Sequence, residues 1–278
     1  MKKLLIASIT CLISGPVFAD FIGVHASISQ WQSTFSGEIA GIDRFNERTM
    51  LGLGIPNFEE RGFEKENQTF GWVAFEHPVP LLPNFRLGYS KISDGAISPE
   101  PIVSRRFTAD QVPVPFDSAQ TVITELNINA LDGTLYYEVL DNWISLDIGL
   151  TVRQMTGEFI ESSIEEAIPV SFLGGTCRDF EVSGSFCIVP PSSETTDIDI
   201  ILPLLYAKAR FDLPLSGIYT AATLQAISSD GSEAVDYDLE LGYLFDFTVL
   251  EMGAALGYRS SSLVADDLDG LFADAKLE

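Results

Sequence analysis

From Trp143 to Arg153 apolar and polar residues alternate without a break. In an extended chain Ile144, Leu146, Ile148, Leu150 and Val152 fall on one face, and Ser145, Asp147, Gly149, Thr151 and Arg153 on the other. Successive side chains of a strand point to opposite sides of its sheet, so this is a strand with one uniformly apolar face. The other face is small, polar and charged. The same pattern recurs along the chain around short turns. It predicts an antiparallel barrel with hydrocarbon outside and polar packing inside; a soluble two-sheet sandwich is the competing arrangement.

Residues 1–19 have the build of a secretion signal: Lys2 and Lys3, an apolar run from Leu4 to Ile13, and Val17-Phe18-Ala19 before Asp20. Residues 20–278 are then expected to form one barrel domain. After the leader there is no stretch of 18 apolar residues, so no transmembrane helix is predicted. A chain that is 46% hydrophobic still fits a membrane, because barrel strands carry their apolar residues at alternate positions. The net charge of −24 argues against a nucleic-acid partner.

Predicted strands cover residues 21–31, 67–76, 85–92, 122–139, 143–155, 197–212, 218–228, 234–245 and 249–259, with a tenth beginning at Leu271. Short turns follow the second, fourth, sixth and eighth. The first holds three prolines between His77 and Asn84, which forbid continued pairing. Longer segments follow the odd-numbered strands, notably 32–66, 93–121, 157–196 and the acidic 260–270. The expected fold is all-β: an antiparallel transmembrane β-barrel of about ten strands, alternatively eight, with short periplasmic turns and long extracellular loops. Phe85, Tyr136, Tyr137, Trp143, Phe211 and Phe245 would form the aromatic girdle at the inner rim.

Three stretches, Glu76–Asn84, Thr134–Glu138 with Leu140–Trp143, and Leu202–Pro214, resemble a family of small outer-membrane β-barrel proteins of marine-type gammaproteobacteria. The resemblance implies a barrel in the outer membrane of a Gram-negative cell, in contact with outer-membrane lipid and lipopolysaccharide and placed there by the barrel-insertion machinery. It implies no activity. Family members end in a strand that closes on an aromatic residue, whereas this chain stops at Ala275-Lys-Leu-Glu278, so its last strand is expected to lack its end.

By parity Arg86, Asp147, Arg153, Asp199, Lys208, Arg210, Asp236, Asp238, Glu240 and Arg259 face the interior. With both signs present they are expected to pair and fill a narrow lumen. A sharper alternative is a cation-preferring diffusion channel lined by Asp236, Asp238 and Glu240. His25 and Ser27, two apart on one inward face, raise a lipid-modifying hydrolase, with Asp147 as the only inward acid considered as orienter. The competing reading is a hydrogen-bonded interior histidine; His77, at the proline turn, reads as structural. Cys177 and Cys187, in one polar segment, are expected to bridge in an oxidising compartment.

Acidic residues concentrate in the longer segments: Glu158, Glu161, Glu165, Glu166, Asp179, Glu181, Glu194 and Asp197, then Asp266, Asp267 and Asp269. They are either a solvated surface or holders of divalent cations. The sequence thus predicts an outer-membrane barrel with a structural or surface-interaction role, no catalysis and no cofactor.

Overall fold

The computed structural model describes residues 9–14, 23–41, 55–79, 81–98, 102–107, 113–164, 166–169, 181–183, 186–189, 191–229, 232–247, 251–268 and 271–277. Its strands are β1 (Ile9–Ser14), β2 (Gly23–Ser33), β3 (Phe35–Gly41), β4 (Glu66–Glu76), β5 (Asn84–Ile97), β6 (Ile102–Phe107), β7 (Pro113–Gln120), β8 (Val122–Asp141), β9 (Ile144–Ser163), β10 (Glu166–Pro169), β11 (Glu181–Ser183), β12 (Phe186–Val189), β13 (Ser192–Asp212), β14 (Ile218–Ser229), β15 (Ser232–Asp246), β16 (Glu251–Leu268) and β17 (Leu271–Leu277). One short helix, α1 (Phe58–Arg61), lies between β3 and β4.

Eleven strands (β2 to β5, β8, β9 and β13 to β17) form a nearly closed antiparallel barrel. β2 and β3 are one stave, interrupted only at Thr34, so the circumference has ten positions. β3 closes the ring by pairing with β17. We call the end that carries the turns at residues 77–83 and 213–217 the lower rim.

The seam is built in two pieces. Toward the upper rim β17 pairs with Ser261–Leu268 of β16; toward the lower rim β1 pairs with Glu251–Ala255 of β16 and with His25–Gln30 of β2. Part of the apolar run read as a leader therefore lies in the sheet as β1. Two facing edges with free N–H and C=O groups are a template that an extended apolar segment satisfies on both sides.

Several strands outrun their predicted ends. β9 continues past Met155 to Ser163, β13 begins at Ser192, β5 reaches Ile97, and β16 continues to Leu268, so most of the expected 260–270 loop is strand. The physical reason is a change in the phase of the alternation. Along β9 the outward positions run Ile144, Leu146, Ile148, Leu150, Val152 and then Gln154, Thr156, Glu158. The inward positions run Ser145, Asp147, Gly149, Thr151, Arg153 and then Met155, Gly157, Phe159. β8 inverts between Leu131 and Asn129, and β13 between Ile201 and Asp199. Below the inversion the barrel is apolar outside; above it, apolar inside. A search for greasy outward faces stops at the inversion although the strands do not.

The inversion runs across neighbouring strands at one level. Gln30, Thr69, Lys91, Asn129, Thr156 and Asp199 lie side by side on six neighbouring staves and form a polar rim on the outer surface. Beneath it the outer face exposes Leu135, Leu150, Leu205, Leu224, Leu239 and Leu256, with Leu205 68% exposed. From Ile144 to Val152 this apolar band measures about 27 Å along the strand.

Inside the band, glycine shapes one contact. The Tyr219 ring, 1% exposed, lies so close to Gly242 that a Cβ there would meet ring carbons at 2.3 Å. The pair lets a bulky ring lie flat across its neighbouring strand.

Candidate functional site

The interior is layered. The lowest layer is a vestibule of about 440 Å³ opening at the lower rim. There His25 Nε2 lies 3.0 Å from Glu76 Oε2, and the Tyr136 hydroxyl donates to Glu76 Oε1 at 2.9 Å. Arg86 stacks over Trp72 at 4.5 Å and donates to the Tyr206 hydroxyl across the lumen. Asp147 sits opposite Lys208 in the β9–β13 ladder and Lys208 also reaches toward Trp72. Arg210 pairs with Asp212 on its own strand and covers the Tyr219 ring.

The middle layer crosses the lumen. Arg153 donates through Nε and Nη2 to both oxygens of Asp132, each at 2.7 Å, and through Nη2 to Gln225 and Asp236. Asp236 also accepts from Arg259, whose guanidinium covers Phe70 at 4.4 Å. Gln225 donates to Thr151, which shares a 2.8 Å hydrogen bond with Thr134. Because β9 and β15 are separated by β13 and β14, the Arg153–Asp236 contact crosses the interior. Two guanidiniums meet two carboxylates, so the layer is balanced in charge and its donors and acceptors satisfy one another. Asp238 and Glu240 line the remaining space of about 70 Å³ beside it.

Above the inversion Ile39, Phe58, Leu126, Phe159, Ile198, Ile200 and Ala273 form a buried apolar core. α1 roofs it. Asn57 caps the helix by accepting from the Glu60 amide at 2.8 Å, and the Glu60 side chain accepts from the Asn57 amide in return. Gly62 ends the helix at φ 90°, in the left-handed region. Arg61, 1% exposed, donates to the Ile39 and Pro56 carbonyls, to Thr124 and to Glu161 at 2.7 Å. Phe58 packs against Phe35 and Phe63 with ring centroids 5.3 and 5.0 Å away.

Asp94, also above the polar rim, points inward and is 8% exposed. Burial pushes its carboxyl up to about 6 from the ordinary 3.8, and the Gly95 amide, which donates to Oδ1, offsets only part of this. Its Oδ2 has no partner among the described residues. Between the two values the folded chain holds the proton and the unfolded chain has lost it, so this group's contribution to stability falls as pH rises through that window. Asp94→Asn is expected to remove that slope and stabilise the fold at neutral pH by up to about 3 kcal/mol. Denaturant unfolding of both proteins at pH 4.5 and 7.5 checks it.

The residues singled out by sequence divide among these layers. Asp147, Lys208 and Arg210 line the vestibule, with Arg86 reaching it from above; Arg153 and Asp236 make the closure; Asp238 and Glu240 lie against it. Two positions differ from expectation. Asp199 faces outward, because it falls at the inversion and out of phase with Ile198 and Ile200. Tyr136 is not in the outer girdle: it is 3% exposed and hydrogen-bonded to Glu76 inside. Tyr137 and Trp143 do face outward, Trp143 against Phe211.

His25 and Ser27 both point inward, but the imidazole pairs with Glu76, a residue the sequence reading did not connect to it. Ser27 lies beside the central layer instead. Cys177 lies outside the described residues; Cys187 is on β12, in register with Ile168 and Val182. Of the acidic loop residues, Glu158, Glu161, Glu194 and Asp197 are on extended strands, and Glu161 is bound to Arg61. Glu166 and Glu181 begin β10 and β11, Asp266 and Asp267 are on β16, and Glu165, Asp179 and Asp269 lie outside the described residues. Among the described residues no group of three His, Cys, Asp or Glu could hold a metal ion.

Sequence reasoning missed α1 and Arg61. The signal was present: Asn57 and Glu60 at capping-box spacing with Gly62 just beyond, inside a segment read as loop.

Family models, curated proteins and solved structures offer no match to this chain.

Proposed function

We propose that this chain is an outer-membrane β-barrel with a structural, surface-presenting role, closed to solute flow. The observation that carries the reading is the apolar outer band ending at a polar rim, around an interior crossed by the Arg153–Asp236–Arg259 layer. Tilted by about 40°, as strands of outer-membrane barrels are, that length of strand spans roughly 21 Å of height, close to the apolar band of about 25 Å that such barrels carry. Exposing it to water would leave a greasy belt far larger than soluble monomers carry. The resemblance to small outer-membrane barrels points to the same address, with lipid and lipopolysaccharide around the band and the barrel-insertion machinery as assembly partner.

Above the band the strands continue as a water-facing extension. The connections from β5 to β8 and from β9 to β13 leave from that end and carry the β6–β7 hairpin and the three-stranded β10-β12-β11 sheet. These elements are the surface the protein would present, with Arg105 and Arg106 on β6 and Glu166 and Glu181 on β10 and β11.

The second reading, a small cation-preferring channel, is favoured by one feature, the open vestibule with Asp147 and Glu240 on its walls. Planar-bilayer recording separates the two. The refolded chain is expected to insert without conductance steps. Stable cation-selective steps that shrink in Asp238→Asn/Glu240→Gln would overturn the closed reading. Failure of the refolded chain to float with lipid vesicles in a density gradient would overturn the membrane reading itself.

A further inference from the structure

Between the charged layer and the apolar core there is a half-open, mainly apolar chamber of about 110 Å³. Its bulky wall comes from Leu126, Met155, Ile198 and Leu202, and Phe58 of α1 covers it. The facing wall, from β15, β16 and β17, mixes small residues, Ala234, Ser261, Ala273 and Ala275, with the larger Val235, Leu263 and Leu277. Larger aliphatic residues at the four small positions would fill the space.

Water is a poor occupant. A buried water needs two to four polar partners. Of the polar residues on its walls, Arg153, Gln225 and Asp236 already bind one another, while Ser261, Ser262 and Lys276 stand on the β16–β17 side. An engineered apolar cavity of about 150 Å³ stays dry and takes up benzene or xenon. The chamber is somewhat smaller and shares the aliphatic and aromatic part of such a lining.

We propose that this chamber is a binding site for a compact hydrocarbon group: a small ring, or the end of an alkyl chain. The site lies above the Arg153–Asp236 layer, which stands between it and the vestibule. Its occupant would arrive from the upper side, past Phe58 and the α1 roof. Binding there needs no pore and no catalysis, and the inference does not depend on the barrel's address.

Met155 supplies the test, since its side chain lines the chamber while Met252 on β16 lies outside it. The full chain is labelled with methyl-¹³C methionine, placed in lipid nanodiscs and titrated with xenon and then benzene. The Met155 resonance is expected to shift saturably, whereas Met252 follows only the linear drift of probe dissolved in lipid. Ala275→Leu, which fills the chamber, is expected to abolish the saturable shift. Leu202→Ala, which enlarges it, is expected to strengthen benzene binding at least threefold. If the filled variant fails to fold, the enlarged one decides the question alone.

A second titration with octyl glucoside separates the two sources. A shift with octyl glucoside assigns the site to chain ends, and a shift with benzene and xenon alone assigns it to free small hydrocarbons. A Met155 signal that moves no more than Met252, or responds equally in both variants, overturns the proposal.

Discussion

Asp236→Ala is expected to cost the folded barrel about 3–5 kcal/mol, the scale for removing one partner of a buried ion pair. Asp236 accepts from two guanidiniums, Arg259 at 2.7 Å and Arg153 at 3.0 Å, and is 6% exposed. Its removal leaves Arg153 with Asp132 and Gln225, and leaves Arg259 with the Phe70 and Trp31 rings. Arg259 carries most of the penalty, because it loses its hydrogen-bonded counter-charge and keeps only cation–π attraction and the more distant Asp238 opposite it in the β15–β16 ladder. Denaturant unfolding in lipid vesicles measures the loss. The double variant Asp236→Ala/Arg259→Met is expected to recover part of it, since the stranded charge goes too. A single variant as stable as the parent would mean that water reaches the layer and that the closure is leaky.

Arg61→Ala is expected to be nearly as costly, about 3–4 kcal/mol, but local. The guanidinium ties the roof to three staves at once, through Ile39 on β3, Thr124 on β8 and Glu161 on β9. Without it the Glu161 carboxylate loses its cation and the Ile39 carbonyl loses a donor. A four-residue helix has no stability of its own, so α1 should detach. Hydrogen exchange is expected to accelerate in β3 and in the upper halves of β8 and β9, while β14 and β15 keep the parent's protection. Uniform acceleration around the barrel would contradict a role confined to the roof.

The lower half of this fold was legible because one rule held there. Ile144 to Val152 alternate cleanly with polar residues, and the same parity assigned one face to Asp147, Arg153, Lys208 and Asp236. Proline at the His77–Asn84 turn marked a strand end on steric grounds alone. What escaped was governed by non-local partners. Asp199 has a neighbourhood no different from that of Asp147; only the change of phase along β13 turns it outward. Tyr136 stands between outward Leu135 and Tyr137, so alternation alone placed it inside, and a count of aromatics near the rim overlooked that; its bond to Glu76, 60 residues away, fixes it there. Arg61 looks like any surface arginine after two glutamates, and its burial depends on Glu161, 100 residues on. The β1 segment reads as a leader by composition, whereas its place in the sheet is set by two strand edges far apart in sequence.

The phase inversion also guards the assembly against error. In an ordinary barrel a strand that pairs one residue out of step turns all its side chains over, and uniform surroundings penalise that mistake by a single criterion. In β9 or β13 the same slip would push Asp147 or Lys208 outward below the polar rim and Phe159 or Ile198 outward above it. Each long strand is checked at both ends by opposite criteria, and no vertical displacement of a mispaired strand satisfies both.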